Sequence, residues 1–140
     1  MTNLPNNFTL AHELKRDTIP IKSIGGNALS LCYLGLMNNQ YFPWLILVPQ
    51  EENLKEIIDL SSTNQHQLMD EISLVSKHMQ AIFSPKKLNI AALGNMVSQL
   101  HIHVIARNKN DKAWPNPVWG HAPTEPYSEE EKLKIIDLLK

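Results

Sequence analysis

Gln99-Leu100-His101-Ile102-His103-Val104-Ile105 alternates polar and aliphatic side chains with the period of two that a β-strand imposes. Gln99, His101 and His103 therefore share one face, while Leu100, Ile102 and Val104 point the other way, into a core. A strand anchored in this way holds its two imidazoles in fixed directions, which suits catalysis or ligand binding. Spacing alone leaves three readings open: the pair ligates zinc, attacks phosphorus, or faces water without chemistry. Zinc draws on further Cys or His ligands, yet the chain offers one cysteine, Cys32, and no second His or Cys pair at ligand spacing. No metal site is assigned, and no cofactor.

Working outward, residues 88–93 and 100–107 read as strands that flank Gly94-Asn95 and form an antiparallel pair. Upstream, Leu68, Ile72, Val75, Met79 and Ile82 recur at alternating four- and three-residue steps up to Ser84-Pro85, the stripe of a long amphipathic helix that Ser61, Ser62 or Thr63 caps. His66 and His78 fall within it and are assigned no function. Residues 28–37 and the Trp44-Leu45-Ile46-Leu47-Val48 run form two more strands, joined by a hairpin-like turn at Asn38-Asn39. Shorter helices are expected over residues 8–16, with Thr9 as cap, and over residues 53–60. Pro20 and Gly25-Gly26-Asn27 break regular structure between the first of these and the strands. The chain ends in a rigid Ala-Trp-Pro-Asn-Pro-Val-Trp-Gly loop from residue 113, then a last helix opened by the capping box Ser128-Glu129-Glu130-Glu131. The class is α+β: an antiparallel sheet with one long amphipathic helix and shorter terminal helices.

Composition agrees. The 140 residues are 43% hydrophobic and 19% charged, which predicts one folded domain spanning residues 1–140. A net charge of −1 provides no field to draw in duplex nucleic acid, so any phosphate is met locally. The lone Cys32 forms no intramolecular disulfide, and residues 1–7 lack the basic and apolar regions of a signal peptide. A cytoplasmic protein is expected. The densest apolar run, Trp44 to Val48, falls far short of the roughly 20 residues that span a bilayer, so no membrane partner is expected.

The histidine strand resembles the signature of the histidine triad, or HIT, family, His-φ-His-φ-His-φ-φ with φ apolar, and departs from it only at Gln99. Gly94-Asn95 is similar to the family's Gly-Gln phosphate loop, Asn89 to its strand asparagine, and Trp-Leu-Ile-Leu-Val-Pro to its His-φ-φ-φ-φ-Pro strand. Asn38 falls where the family has a ribose-binding acid or amide. The resemblance runs from about Leu29 to Arg107 and is closest to small bacterial members with Gln-φ-His-φ-His and a Trp-Pro-rich tail. It implies a nucleotide hydrolase or nucleotidyl transferase that splits a phosphoramidate, a dinucleoside polyphosphate or another α-phosphate linkage. His101 is then the nucleophile and His103 a phosphate-side donor. Gln99, Asn89, Asn95, Asn38 and Trp44 are the implied substrate contacts, and a two-fold homodimer the implied assembly.

Three departures bear on mechanism. Gln99 donates a hydrogen bond but carries no proton near neutral pH, so the first histidine's acid–base role is absent or moved. Trp44 replaces a further histidine and either stacks or packs in the core. Met96 removes a hydroxyl from the phosphate loop. The alternative function is therefore a nucleotide-binding regulatory protein with little or no turnover, and a third reading treats the histidines as incidental to a dimeric scaffold. Trp114 and Trp119 either reach a partner's site or staple the tail onto their own domain.

Overall fold

In the computed structural model, which describes residues 8–140, the histidine segment feeds an inner strand of a five-stranded antiparallel sheet. The elements run α1 (His12–Asp17), β1 (Thr18–Pro20), β2 (Cys32–Met37), β3 (Trp44–Pro49), a 3₁₀ turn (Ile57–Asp59), α2 (Ser62–Phe83), β4 (Lys87–Ala91), β5 (Ile102–Arg107) and α3 (Glu129–Leu139). The sheet order is β1-β2-β3-β5-β4, with His103 paired to Ile46 on one side and Ala91 on the other. Residues 1–7, read above for the absence of a signal peptide, lie outside the described residues.

One sheet face is the core expected from the alternation. Leu34, Leu36, Leu45, Leu47, Ile102 and Val104 meet Leu68, Ile72, Val75 and Met79 of α2, and Ile135 and Leu139 of α3 close the same cluster. Each such side chain contributes about 1.5–3 kcal/mol by leaving water. The caps stand where the sequence puts them: Ser61 accepts from the Asn64 amide, and Ser128 and Glu131 form a reciprocal box at the start of α3. His78 has a packing role, its ring closing on Gly25, whose φ of 54° and lack of a Cβ permit the approach.

Several boundaries differ from the sequence expectation. Residues 28–31 are not strand, because the amides of Leu31 and Cys32 both donate to the buried Glu71 carboxylate of α2, at 2.9 Å each. β5 starts at Ile102, two residues late, because the Leu100 amide donates to the Leu54 carbonyl at 2.9 Å instead of to a neighbouring strand. β4 stops at Ala91, and only a 3₁₀ turn forms within residues 53–60. Helix α1 begins at His12 with no side-chain cap, so Thr9 does not cap it. The strand β1 was not expected; Pro20 is tolerated there because β1 is an edge.

The second face is also covered. Tyr33, Trp44, Ile46, Val48 and Ile105 pack beneath Phe8, Leu10 and Leu14 from the N-terminal segment and Ala113 and Val118 from the Trp/Pro segment. The histidine face is thus roofed by one segment far upstream in sequence and one just downstream of β5, and His101 and His103 are only 7% and 4% exposed. Among the described residues no helix is long and apolar enough to cross a membrane.

Candidate functional site

His101 immediately precedes β5 and His103 lies within it, and their ring centroids are 4.9 Å apart with planes at 71°. Nδ1 of His101 lies 2.6 Å from the backbone carbonyl oxygen of Gln99. A carbonyl only accepts, so Nδ1–H donates, and in the neutral ring the lone pair sits on Nε2. The neighbouring His103 accepts at Nδ1 from the Trp44 indole N–H at 3.0 Å. Burial, and then the charge of His101, push the His103 pKa down to about 3, so this imidazole is neutral at neutral pH. Trp119 completes the cluster, edge-on to His103 at 4.9 Å and to Trp44 at 5.9 Å. The Trp/Pro segment thus touches its own domain at Trp119.

Gln99 is engaged at both ends of its carboxamide. The oxygen accepts from the Ala11 amide at 2.8 Å and the nitrogen donates to the Thr9 carbonyl at 2.9 Å. The side chain thus splints the N-terminal segment to the histidine strand, while its own backbone carbonyl fixes His101. Beside these residues opens a cavity of about 340 Å³ whose walls include His101, Gln99, Gly94, Leu93, Ile57 and Lys55. Gly94 adopts a φ of 77°, a left-handed conformation that glycine takes without cost, and carries the chain to the exposed Asn95.

Two other sequence candidates hydrogen-bond to groups other than the histidines. The Asn38 side-chain oxygen accepts from the Tyr127 amide at 2.9 Å, and Asn38 lines a different hollow, of about 370 Å³, with Trp44, Arg16 and Thr124. Asn89 accepts from the Arg107 guanidinium at 2.8 Å. Both amides serve the scaffold in this arrangement. Arg107, 2% exposed, also pairs with Asp111 at 2.7 Å and donates to the Asn116 carbonyl at 2.9 Å. Burial pushes the Asp111 carboxyl up, but the guanidinium and the amides of Ala113, Asn108 and Trp114 outweigh it and hold the pKa at about 2.

Sequence reasoning missed this Arg107–Asp111 hub, which secures the start of the Trp/Pro segment. Its signal was a charged residue on the histidine face, at the next even step after Ile105, with an acid four residues on. Lys55 was missed as well, since nothing local marks a loop lysine as a cavity wall. Among the described residues no cluster of His, Cys, Asp or Glu is arranged to hold a metal ion.

A family model described as HIT domain matches residues 27–110, the stretch that carries β2 to β5 and both histidines. Solved structures agree over nearly the whole chain. A histidine triad protein of Bradyrhizobium japonicum is 44% identical with a TM-score of 0.88, covering 94% of this chain and 95% of that one. A histidine triad (HIT) protein of Sinorhizobium meliloti 1021 is 44% identical with a TM-score of 0.87, covering 95% of each chain. One from Marinobacter aquaeolei VT8 is 41% identical with a TM-score of 0.88, covering 95% of this chain and 93% of its own. No curated protein matches the chain. The histidine strand, the sheet around it and these likenesses lead to one assignment: the chain belongs to the HIT domain family.

Proposed function

We propose that the protein is a nucleotide hydrolase or nucleotidyl transferase that works at an α-phosphate through a covalent intermediate on His101. The observation that carries this reading is the bond from His101 Nδ1–H to the Gln99 carbonyl, which leaves a lone pair on Nε2 of a rigidly held ring beside a cavity. Nε2 attacks the α-phosphorus; the P–N or P–O bond to the leaving group breaks with its electron pair, and the leaving group takes up a proton. Water then attacks the same phosphorus, the P–Nε2 bond breaks, the nucleotide leaves and His101 returns to its neutral form. His103 donates to a nonbridging oxygen as charge builds there, an interaction strengthened by its exclusion from water. Lys55 supplies a cation on the cavity wall, and Asn95 a side-chain donor in the neighbouring loop. The whole of residues 1–140 acts as one unit in this reading, in the cytoplasm, where Cys32 stays a thiol; burial and the Glu71 carboxylate push that thiol's pKa up. A homodimer is part of the proposal, with β4 as one edge of the sheet and Ile90 half-exposed upon it.

The test is to quench the protein during exposure to nucleoside phosphoramidates and dinucleoside polyphosphates and map any adduct by mass spectrometry. A nucleotidyl group on His101 is expected; an adduct elsewhere reassigns the nucleophile. The alternative, nucleotide binding without turnover, is favoured by one observation: Gln99, at the position of the family's first histidine, is tied to backbone at both ends and has no proton to give. Nucleotide-dependent thermal stabilisation with no product and no adduct would select it.

A further inference from the structure

Trp44 stands where the resemblance places a histidine, and the two rings differ in what they permit a partner to do. An indole N–H donates and nothing in that ring accepts, whereas an imidazole does either. Trp44 gives its N–H to His103 Nδ1 at 3.0 Å. Both residues are buried, at 7% and 4% exposure, so water does not compete for the bond. The indole is wedged between Phe42 and Trp119, edge-on to each, with centroids at 6.5 and 5.9 Å, and so has no freedom to turn its N–H away.

We infer that Trp44 is a positioning residue that locks His103 into the tautomer carrying its proton on Nε2. The strand then presents two imidazoles of opposite polarity two residues apart. His101, held through Nδ1–H by a carbonyl, offers a lone pair on Nε2. His103, held through Nδ1 by a donor, offers N–H on Nε2. A histidine at position 44 would not enforce this, because a bond between two imidazoles can reverse its direction and exchange both tautomers. The lock removes the state in which His103 turns a lone pair toward an anionic oxygen. It also removes His103 from proton relay through Nδ1, since the indole has no second proton position. The functional meaning, a donor for a phosphate oxygen, rests on the reading proposed above; the tautomer itself does not.

Long-range proton–nitrogen correlation spectra of the ¹⁵N-labelled wild-type protein at neutral pH test the lock directly. A single His103 pattern with the proton on Nε2 is expected, with the Trp44 indole proton coupled to His103 Nδ1. A proton on Nδ1, or a mixture of tautomers, overturns the inference without any variant. Trp44→Phe keeps a ring and deletes the donor: His103 should become a tautomer mixture, and kcat should fall about three- to tenfold, the range for one neutral hydrogen bond, with little change in KM. A variant that keeps pure Nε2–H, or that changes KM alone, shows Trp44 to be packing only. A locked tautomer in a protein that turns over no nucleotide would refute the proposed activity and leave the lock standing.

Discussion

Lowering the pH from 7 to 5 tests the buried state of His103 by thermodynamics alone. In the folded protein its pKa is held down at about 3, against an ordinary value of 6.5. A lowered folded value means the unfolded chain binds the extra proton first, so stability is complete above pH 6.5 and is lost as the pH falls toward 3. At pH 5 the unfolded histidine is about 1.5 units below its pKa while the folded one is still neutral, so the loss is about 2 kcal/mol. Urea denaturation at the two pH values measures it, as a shift of midpoint at constant slope. The control is His103→Asn, whose amide oxygen can still accept from Trp44 but which does not titrate. Wild type should lose about 2 kcal/mol more than the variant between pH 7 and 5, the other titrating groups cancelling in the double difference. Equal losses in the two proteins would refute the reasoning, as would an NMR titration of His103 with a midpoint above 5.

Three substitutions extend the argument. His101→Asn should abolish turnover and adduct formation yet keep nucleotide affinity, because it removes the nucleophile and leaves the neighbouring donors; turnover at the wild-type rate would sink the mechanism. Gln99→Ala deletes both bonds to Thr9 and Ala11, at a cost of about 1–3 kcal/mol in urea, and hydrogen exchange at the Ala11 amide should speed up; unchanged protection there would mean the splint holds nothing. Asp111→Asn strands the buried Arg107 guanidinium and should cost about 3 kcal/mol or more, with the Trp119 fluorescence signal shifting as the segment loosens; a neutral outcome would mean the pair is already hydrated.

The parts of the fold that were legible are those where a local pattern meets a local cause. The α2 stripe, the Ser128 box and the alternation of 99–105 each need only nearby residues, and each stands as expected. Two of the errors arose where a distant group captures a backbone amide. Residues 28–31 have the composition of a strand, but Glu71, forty positions on, takes the two amides that pairing would use. β5 is shortened by Leu54 in the same manner. The candidate site shows the same division. Parity placed Gln99, His101 and His103 on one face, but no periodicity tells what roofs a face, and one roofing segment, Phe8 to Leu14, lies far away in sequence. Asn38 and Asn89 were singled out by resemblance; their partners, the Tyr127 amide and the Arg107 guanidinium, could be found only from coordinates.

The substitutions at Gln99 and Trp44 have a joint consequence for the proposed chemistry. Each replaces a side chain able to gain and lose a proton with one that only holds a hydrogen bond: Gln99 on Thr9 and Ala11, Trp44 on His103. Glu56, on the cavity wall, has its side chain occupied in capping the 3₁₀ turn. What remains beside the nucleophile is a neutral donor that stabilises charge on phosphorus but delivers no proton to a departing group. Departure then depends on the leaving group's own basicity. A series of nucleoside phosphoesters and phosphoramidates with leaving groups of increasing pKa should therefore show a steep fall in kcat/KM. Gln99→His, which returns an ionisable ring beside His101, should flatten that fall by accelerating the poorest leaving groups most. Equal acceleration across the series would show that the new ring only reshapes the site. A shallow dependence in the wild type would show that a proton already arrives from another group, with Lys55 the cation on the cavity wall to substitute next.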